Sequence, residues 1–373
     1  MTKRGGAVPI AWRQLSAEPA KLAVSIVAVA AAVALVLVLT GLRRGMGEQV
    51  TVYLDRQAPV LVGREGFRNF LSETSVLPEA LAGQIEDVPG VASAVPISQQ
   101  YAMLSLHGGR VLAVLVGYDP GRAGGPWRLT EGREPRARDE IVLDRVLASE
   151  HGLGIGSTLS YRGAGLGVVG LSGGTSGFMT PLAFATLETV NALDRRSGTA
   201  SFFLVTPESG VSPAVVAARI DRVVPSVSAR LRADVSAEDR GLFVEAFNGP
   251  LLAMVAIALA VAILVVGLTV YSSTSERSRE YATLKAIGLR RGSLLRLASG
   301  QALVLALVGT AAGGLLALAG AWGVAALVPK YLVVVTGQSV ALMAAAAVAI
   351  ALAAAFVLAR YLAHLDPATA FRR

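Results

Sequence analysis

Six cations crowd the segment from Ser275 to Leu297: Arg277, Arg279, Lys285, Arg290, Arg291 and Arg296, with Glu276 and Glu280 among them. A cation resists transfer into hydrocarbon, so a basic loop between apolar runs is expected to stay on the cytoplasmic side of a membrane. Tyr281, Ala282, Leu284 and Ile287 fall at mixed helical spacing, a short apolar stripe on a charged helix that Gly288 would end. Such a helix on the inner membrane face suits the groove of a soluble partner.

Other chemistry is sparse. The chain has no cysteine, which removes disulfides, thiol catalysis and cysteine-ligated metals. His107, His151 and His364 are isolated, with no metal spacing and no triad around them, so packing or surface roles are expected. Leu171-Ser172-Gly173-Gly174 has the form of the start of an ATPase signature. A nucleotide site also needs a P-loop, whose backbone amides and lysine hold the phosphates. The four lysines are followed by Arg4, Leu22, Ala286 and Tyr331, so no P-loop is present, and the tetrapeptide is expected to be a flexible glycine turn. The chain is therefore expected to be no enzyme and to bind no cofactor or metal of its own.

The elements that must position the basic loop follow from composition. Of 373 residues, 53% are hydrophobic and only 16% charged, the balance of a membrane protein. Four apolar runs exceed the ~18–20 residues needed to cross ~30 Å of hydrocarbon. They are residues 21–42, 250–273, 297–328 and 340–362. No Asp, Glu or Lys sits in mid-membrane, which argues against a proton- or ion-coupled carrier.

Charge fixes the orientation. Between Arg43 and Glu245 there are 20 Arg, no Lys and 22 acids, a net of −2, whereas the remainder carries 14 basic residues against 4 acids, a net of +10. Lys3, Arg4, Arg13 and Lys21 precede the first run, Arg372 and Arg373 follow the last, and Lys330 alone lies in the loop between the third and fourth. Both termini are expected in the cytoplasm. Arg43 and Arg44 lie on the opposite side by simple counting, which a long translocated domain tolerates. The net charge of +8 thus reflects topology, and no nucleic-acid motif accompanies it. At about 21 residues the first run is long for a signal peptide, and Thr40-Gly41-Leu42 is a poor cleavage site, so an uncleaved anchor is expected.

The resulting order is a cytoplasmic amphipathic helix (1–20), a first span (21–42), an extracytoplasmic α+β domain with stalk helices (43–249) and a second span (250–273). Then come the basic segment (274–296), a third span (297–328), an external loop (329–339), a fourth span (340–362) and a cytoplasmic tail (363–373). Met46, Val50, Tyr53 and Leu54 keep helical spacing, so the first helix should continue outward as a stalk until Pro59 and Gly63 to Gly66. Helices are expected over Leu77 to Asp87, Arg145 to His151 and Pro213 to Val223. Strands are expected over Val91 to Val95, Val111 to Gly117, Glu140 to Leu143 and Phe202 to Thr206, with a hairpin of Thr158 to Tyr161 and Leu166 to Leu171. Ser236-Ala237-Glu238-Asp239 reads as a capping-box start for the second stalk helix, which Asn248-Gly249-Pro250 should kink or restart. Gly309 and Gly313 form a G-x-x-x-G in the third span, which suits close helix packing either within one subunit or between two.

With these residues in place, the whole chain resembles the FtsX-like, MacB-type membrane subunits of ABC transporters. The resemblance is most specific over Glu276-Arg277-Ser278-Arg279-Glu280-Tyr281-Ala282-Thr283-Leu284-Lys285-Ala286-Ile287-Gly288, which is similar to the family's coupling segment. Val88-Pro89-Gly90-Val91, Gly132-Arg133-Glu134-Pro135, Leu153-Gly154-Ile155-Gly156-Ser157 and Leu365-Asp366-Pro367-Ala368 are similar to family patterns too. The run Glu280 to Ala286 especially resembles DevC-type permeases, implicated in glycolipid export.

The resemblance implies a type VII ABC transporter fold and a homodimer in the bacterial inner or plasma membrane, surrounded by membrane lipid and joined to two copies of a separate ABC ATPase subunit. ATP and Mg would be handled by that partner. Glu276, Arg277, Arg279, Glu280, Tyr281, Leu284, Lys285, Ile287 and Gly288 would form the docking surface. ATP-driven motion would then reach the external domain and extrude a lipid, glycolipid, lipoprotein or drug-like substrate, with an extracytoplasmic adaptor as a further partner that the family admits. The alternative is a relative that uses the same machine to regulate a cell-wall hydrolase. A sensory receptor would need a cytoplasmic signalling module, for which the third and fourth spans leave no place.

Overall fold

The computed structural model describes residues 19–73, 75–106, 109–178, 180–275 and 291–364. The first apolar run is part of helix α1 (Pro19–Val50), whose 32 residues reach about 48 Å at 1.5 Å per residue. A 3-10 turn (Leu54–Arg56) follows, and then β1 (Val60–Arg64). The predicted outward continuation of the helix therefore stops at Val50, because Val60, Leu61 and Val62 are buried as strand residues and Gly63 lies within that strand.

Most of the α+β domain is one sheet. After β2 (Leu77–Pro78) and α2 (Leu81–Glu86) comes β3 (Val91–Leu106), then β4 (Gly109–Tyr118), β5 (Leu129–Gly132) and β6 (Glu140–Asp144). Next are α3 (Arg145–Glu150), β7 (Thr158–Tyr161), β8 (Ala164–Ser172), β9 (Leu182–Thr186) and α4 (Leu187–Leu193). The domain closes with β10 (Thr199–Ala200), β11 (Phe202–Pro207), α5 (Pro213–Val223) and β12 (Val227–Leu231). Hydrogen-bonded neighbours run β12-β1-β11-β3-β4-β9-β6-β8-β5, with β7 against β3 and β8; β10 and β2 form a separate pair.

Two lobes share β3. Its first half pairs with β11 through Phe202↔Ile97 and its second half with β4 through Ser98↔Gly117 to Leu106↔Gly109. Alternation explains the second half: Ala102, Leu104 and Leu106 are buried while Tyr101 and Met103 face outward, the period of a pleated strand. The first lobe packs α2 and α5 on the sheet through Leu81, Ile85, Val216 and Ile220. In the second, Leu147 and Ala148 of α3 and Val190 of α4 close a core with Leu104, Leu115 and Leu166. On the opposite face both lobes meet one aromatic cluster, in which Tyr53, Phe67, Phe70, Tyr118, Phe184 and Phe202 are buried.

The domain departs from several sequence expectations. The helix expected over Leu77 to Asp87 begins only at Leu81, because Leu77 and Pro78 pair with β10. The strand expected to end at Val95 runs on to Leu106, carried by its new partner β4. β1, β5, β9, α4 and β12 were not anticipated.

From β12 the chain enters α6 (Arg232–Ser275) without a loop. The capping-box start at Ser236 is not used: the helix begins a turn earlier, and the Ser236 hydroxyl is recruited by Asp55. Pro250 lies inside α6 and does not restart it; it removes one backbone donor from the helix ladder. α7 (Arg291–Leu327) and α8 (Gly337–His364) complete the chain.

Four helical stretches are long and apolar enough to cross a membrane: Leu22–Val50, Gly249–Thr269, Ser299–Leu327 and Gly337–Val357. Val29, Val33 and Leu37 of α1 pack with Ala302, Leu305 and Ala306 of α7 and with Ala347, Ala351 and Ala355 of α8. Ala258 and Ala262 of α6 pack on Ala32 and Val36 of α1. Small side chains dominate these seams, as they do where helices associate by close packing in lipid. The chain divides into two units, Met46–Asn248 and the remainder, and both divisions fall inside a helix, α1 and α6.

Candidate functional site

The predicted docking residues Glu276, Arg277, Arg279, Glu280, Tyr281, Leu284, Lys285, Ile287 and Gly288 lie outside the described residues. α6 is described as far as Ser275 and α7 from Arg291. The described residues nearest to it form the helices leading away from this segment and, further along two of those helices, the junction with the sheet.

Within the membrane unit, Gly309 and Gly313 of α7 face α1. A Cβ on Gly309 would lie 2.5 Å from Cγ1 of Val29, and one on Gly313 would lie 2.8 Å from both the Ala30 carbonyl oxygen and Cβ of Val33. The glycine pair thus sets the approach of two helices of the same chain. A second pair, Gly41 and Gly45, was not singled out from the sequence, although its spacing is the same G-x-x-x-G signal. It receives the connector between α7 and α8: Val334 N–H donates to the Gly41 carbonyl at 3.0 Å, and a Cβ on Gly45 would collide with the Leu332 carbonyl. The connector ends at Thr336, whose hydroxyl accepts from Ser339 N–H at 3.2 Å while Ser339 Oγ accepts from Thr336 N–H at 3.1 Å. This reciprocal pair closes the start of α8 in the manner of a capping box. Arg44 of α1 reaches Thr336 Oγ1 at 3.4 Å.

Within the α+β unit, the turn and 3-10 segment that directly follow α1 (residues 51–56) are joined to the start of α6 by polar contacts. Asp55 accepts from Thr51 Oγ1 at 2.7 Å and from Ser236 Oγ at 3.0 Å, and Arg240 of α6 lies 3.5 Å from the same carboxylate. Arg232 binds back to the preceding segment twice, through its N–H to the Pro59 carbonyl at 2.9 Å and its guanidinium to the Gln57 carbonyl at 2.6 Å. Two turns on along α6, Asp239 is 2% exposed and accepts from the N–H groups of Phe70 and Leu71 at 3.1–3.3 Å. Burial pushes its carboxyl up to about 6 despite those two donors. Tyr53 seals the junction: its ring stacks on Phe70 with centroids 5.2 Å apart, and its hydroxyl donates to the Gly124 carbonyl at 2.9 Å. Burial raises the Tyr53 phenol well above its ordinary value.

Of the tetrapeptide Leu171-Ser172-Gly173-Gly174, the first two residues end β8 as paired strand residues and only Gly173 and Gly174 form the expected turn, beside a buried polar knot. Asp144 caps α3 by accepting from Val146 and Leu147 N–H, and it also accepts from Thr175 Oγ1 at 2.7 Å and Ser176 Oγ at 2.8 Å. Ser172 Oγ donates to the Leu143 carbonyl at 3.2 Å and lies 2.7 Å from Thr175 Oγ1. Elsewhere carboxylates are likewise spent on structure. Glu140 is held down to about 2 by Arg133 and by the N–H groups of Arg136 and Ala137, and Asp194 binds Arg162 at 2.9 Å and Tyr161 at 3.1 Å. His151 Nδ1 lies 3.0 Å from the Leu147 carbonyl, one turn back on its own helix. Among the described residues no group of three or more His, Cys, Asp or Glu could hold a metal ion.

Two family models match the chain. The MacB-like periplasmic core domain matches residues 22–223, more than half of the chain, and the FtsX-like permease C-terminal model matches residues 252–367. Uncharacterized ABC transporter permeases of Mycobacterium tuberculosis and Mycobacterium bovis are each 30% identical over 369 residues, covering 97% of this chain and 98% of theirs. A further permease of Mycobacterium tuberculosis is 28% identical over 371 residues, again 97% of this chain and 98% of its own. Among solved structures, the periplasmic region of MacB from Actinobacillus actinomycetemcomitans is 14% identical, covering 52% of this chain and 94% of that one with a TM-score of 0.38.

Proposed function

We propose that this chain, which belongs to the MacB-like, FtsX-like family of ABC transporter permeases, works as a mechanical converter between a separate ATPase and an extracytoplasmic domain. It is a multi-pass membrane protein with four apolar helices. ATP binding closes a pair of partner ATPase subunits, which moves the docking helix around Tyr281, Leu284 and Ile287. Glu276, Arg277, Arg279, Glu280 and Lys285 shape the surface on which the partner sits. The helices α1 and α6 carry the displacement outward to the domain of residues 46–248, which expels or hands on its substrate. Two copies of the chain act together, ATP and Mg being held by the ATPase.

The observation that supports this reading most directly is helical continuity. Residues 232–275 form one helix and residues 19–50 another, and each runs from one unit of the chain into the other without an intervening loop. A helix resists bending far better than a linker, so a shift at one end is felt at the other. The Asp55, Ser236 and Arg240 contacts then make the two helix ends move as a pair.

The test is Leu284→Asp with Ile287→Asp in the full chain co-expressed with its cognate ABC ATPase. Loss of ATPase co-purification and of permease-dependent stimulation of ATP hydrolysis is expected; unchanged values of both refute the docking role. Capture of a peptidoglycan hydrolase, with export of substrate unaffected, would assign the machine to signalling.

A further inference from the structure

We propose that the described residues 173–178 and 180–181, between β8 and β9, form a clip that passes displacement of α1 and α6 into the second lobe of the sheet, with Phe178 as its pin. This deepens the force-relay reading above and rests on it.

The two lobes are attached to the helices differently. The first lobe continues into α6 through the chain itself, since β12 ends at Leu231 and α6 begins at Arg232. The second lobe meets the helices at this loop, and it meets the turn that follows α1 at the Tyr53–Phe184 ring contact.

On its helix side the loop touches both helices at once. The Phe178 ring stands edge-on to Phe243 and Phe247 of α6, with centroids 4.9 and 5.6 Å away and interplanar angles of 78° and 80°. Phe243 and Phe247 lie four residues apart on one helix face and stack on each other at 5.2 Å. Phe178 N–H donates to the Gln49 carbonyl at 3.4 Å, and the Gln49 side chain donates to the Ser176 carbonyl at 3.3 Å, so the last turn of α1 is gripped as well. Gly177 makes the tight return possible, because a Cβ there would run into the Thr180 carbonyl.

The other side of the loop is anchored in the second lobe. Thr175 and Ser176 donate to Asp144, the residue that caps α3, and Leu182 N–H donates to the Thr175 carbonyl at 3.1 Å. From the Phe243 ring to the first turn of α3 the path therefore runs through Phe178, two residues of loop and one carboxylate. Aromatic rings have few rotatable bonds and packed interiors transmit strain, so this path is stiff.

Hydrogen exchange on the full chain in detergent, with no ATPase or nucleotide present, tests the clip separately from the docking reading. Phe247→Ala removes a partly exposed ring from α6 and should speed exchange of the amides of residues 172–178, 180–182 and 144–150 at least fivefold while leaving β1 and β12 unchanged. Leu242→Ala, on the same helix but off the contact, should change neither. Phe178→Ala should produce the same acceleration, and the double variant Phe178→Ala with Phe247→Ala no more than either alone. Unchanged exchange at 144–150 in Phe247→Ala, or additive effects in the double variant, would overturn the proposal. Failure of ATPase docking in the separate Leu284 and Ile287 experiment would leave this result standing.

Discussion

Gly45 of α1 lies against the carbonyl group of Leu332 with no room between them for one further carbon, and Gly41, one turn earlier, accepts the N–H of Val334. A strip of chain without helix, residues 331–336, is thereby seated against a helix, with the Val334 N–H bonded to it and the Leu332 carbonyl packed where a side chain would otherwise stand. In an apolar setting a backbone group left without a partner is costly, so the close approach and the bond are interdependent.

Gly45→Ala should therefore destabilise the chain by about 1–3 kcal/mol, the range of overpacking at a closed contact. Gly47→Ala is the control, since no atom lies within 4 Å of its added methyl. There the gain in helix propensity, about 1 kcal/mol, should show instead. Thermal unfolding of the two variants in detergent, followed by circular dichroism, should move in opposite directions.

The α7 glycines make a parallel case. Gly313→Val should push α7 off Ala30 and Val33 and lower the unfolding temperature, whereas Gly323→Val, with open space around its Cβ, should leave that temperature unchanged or raise it slightly, because Val has the better helix propensity. Equal effects at the two positions would show that the approach of α7 to α1 is not set by glycine.

Asp239 gives the α+β unit a pH dependence of definite sign. Its carboxyl is raised to about 6 in the folded state, against about 3.9 in an unfolded chain. The folded form holds the proton more tightly, so this group's contribution is greatest below pH 4 and is lost as pH rises through about 6. The full change is about 3 kcal/mol, since each pKa unit is worth about 1.4 kcal/mol. Asp239→Asn should flatten that slope, raising stability relative to the parent at pH 7 more than at pH 4. Denaturant titrations of both chains at the two pH values provide the measurement.

Ser236 and Asp55 should be energetically coupled. Ser236 is fully buried and its hydroxyl donates to Asp55, so Ser236→Ala and Asp55→Ala should each destabilise, and the double variant by less than their sum. A coupling of about 0.5–1.5 kcal/mol is expected for one such hydrogen bond. Strict additivity would mean that the bond contributes nothing to holding α1 to α6.

How much was legible from the sequence depended on whether the deciding contact was local. α5 was placed with its observed limits, because Pro213 opens the helix and Val216, Ala217 and Ile220 repeat at helical spacing. The β7–β8 hairpin was read from its glycine turn. β12 escaped because Ser228 and Arg230 interrupt a five-residue run, and β9 because Leu182–Thr186 passes straight into the apolar start of α4. Ser236 was misread as a cap because its hydroxyl answers to Asp55, 181 residues away in the chain. The clip at Phe178 left no local trace at all: Gln49, Asp144 and Phe243 become its neighbours only after the sheet closes.

The strand β3 has an outcome for how this protein can be dissected. Val91 to Ile97 belong to one lobe and Ser98 to Leu106 to the other, so a single ribbon is the seam of both. Any truncation that keeps one lobe must either discard half of its neighbour's edge or carry a bare strand ready to pair with a stranger. The lobes are separable to the eye but inherited together, and expression of residues 46–248 as an uncut piece is the smallest sensible excision.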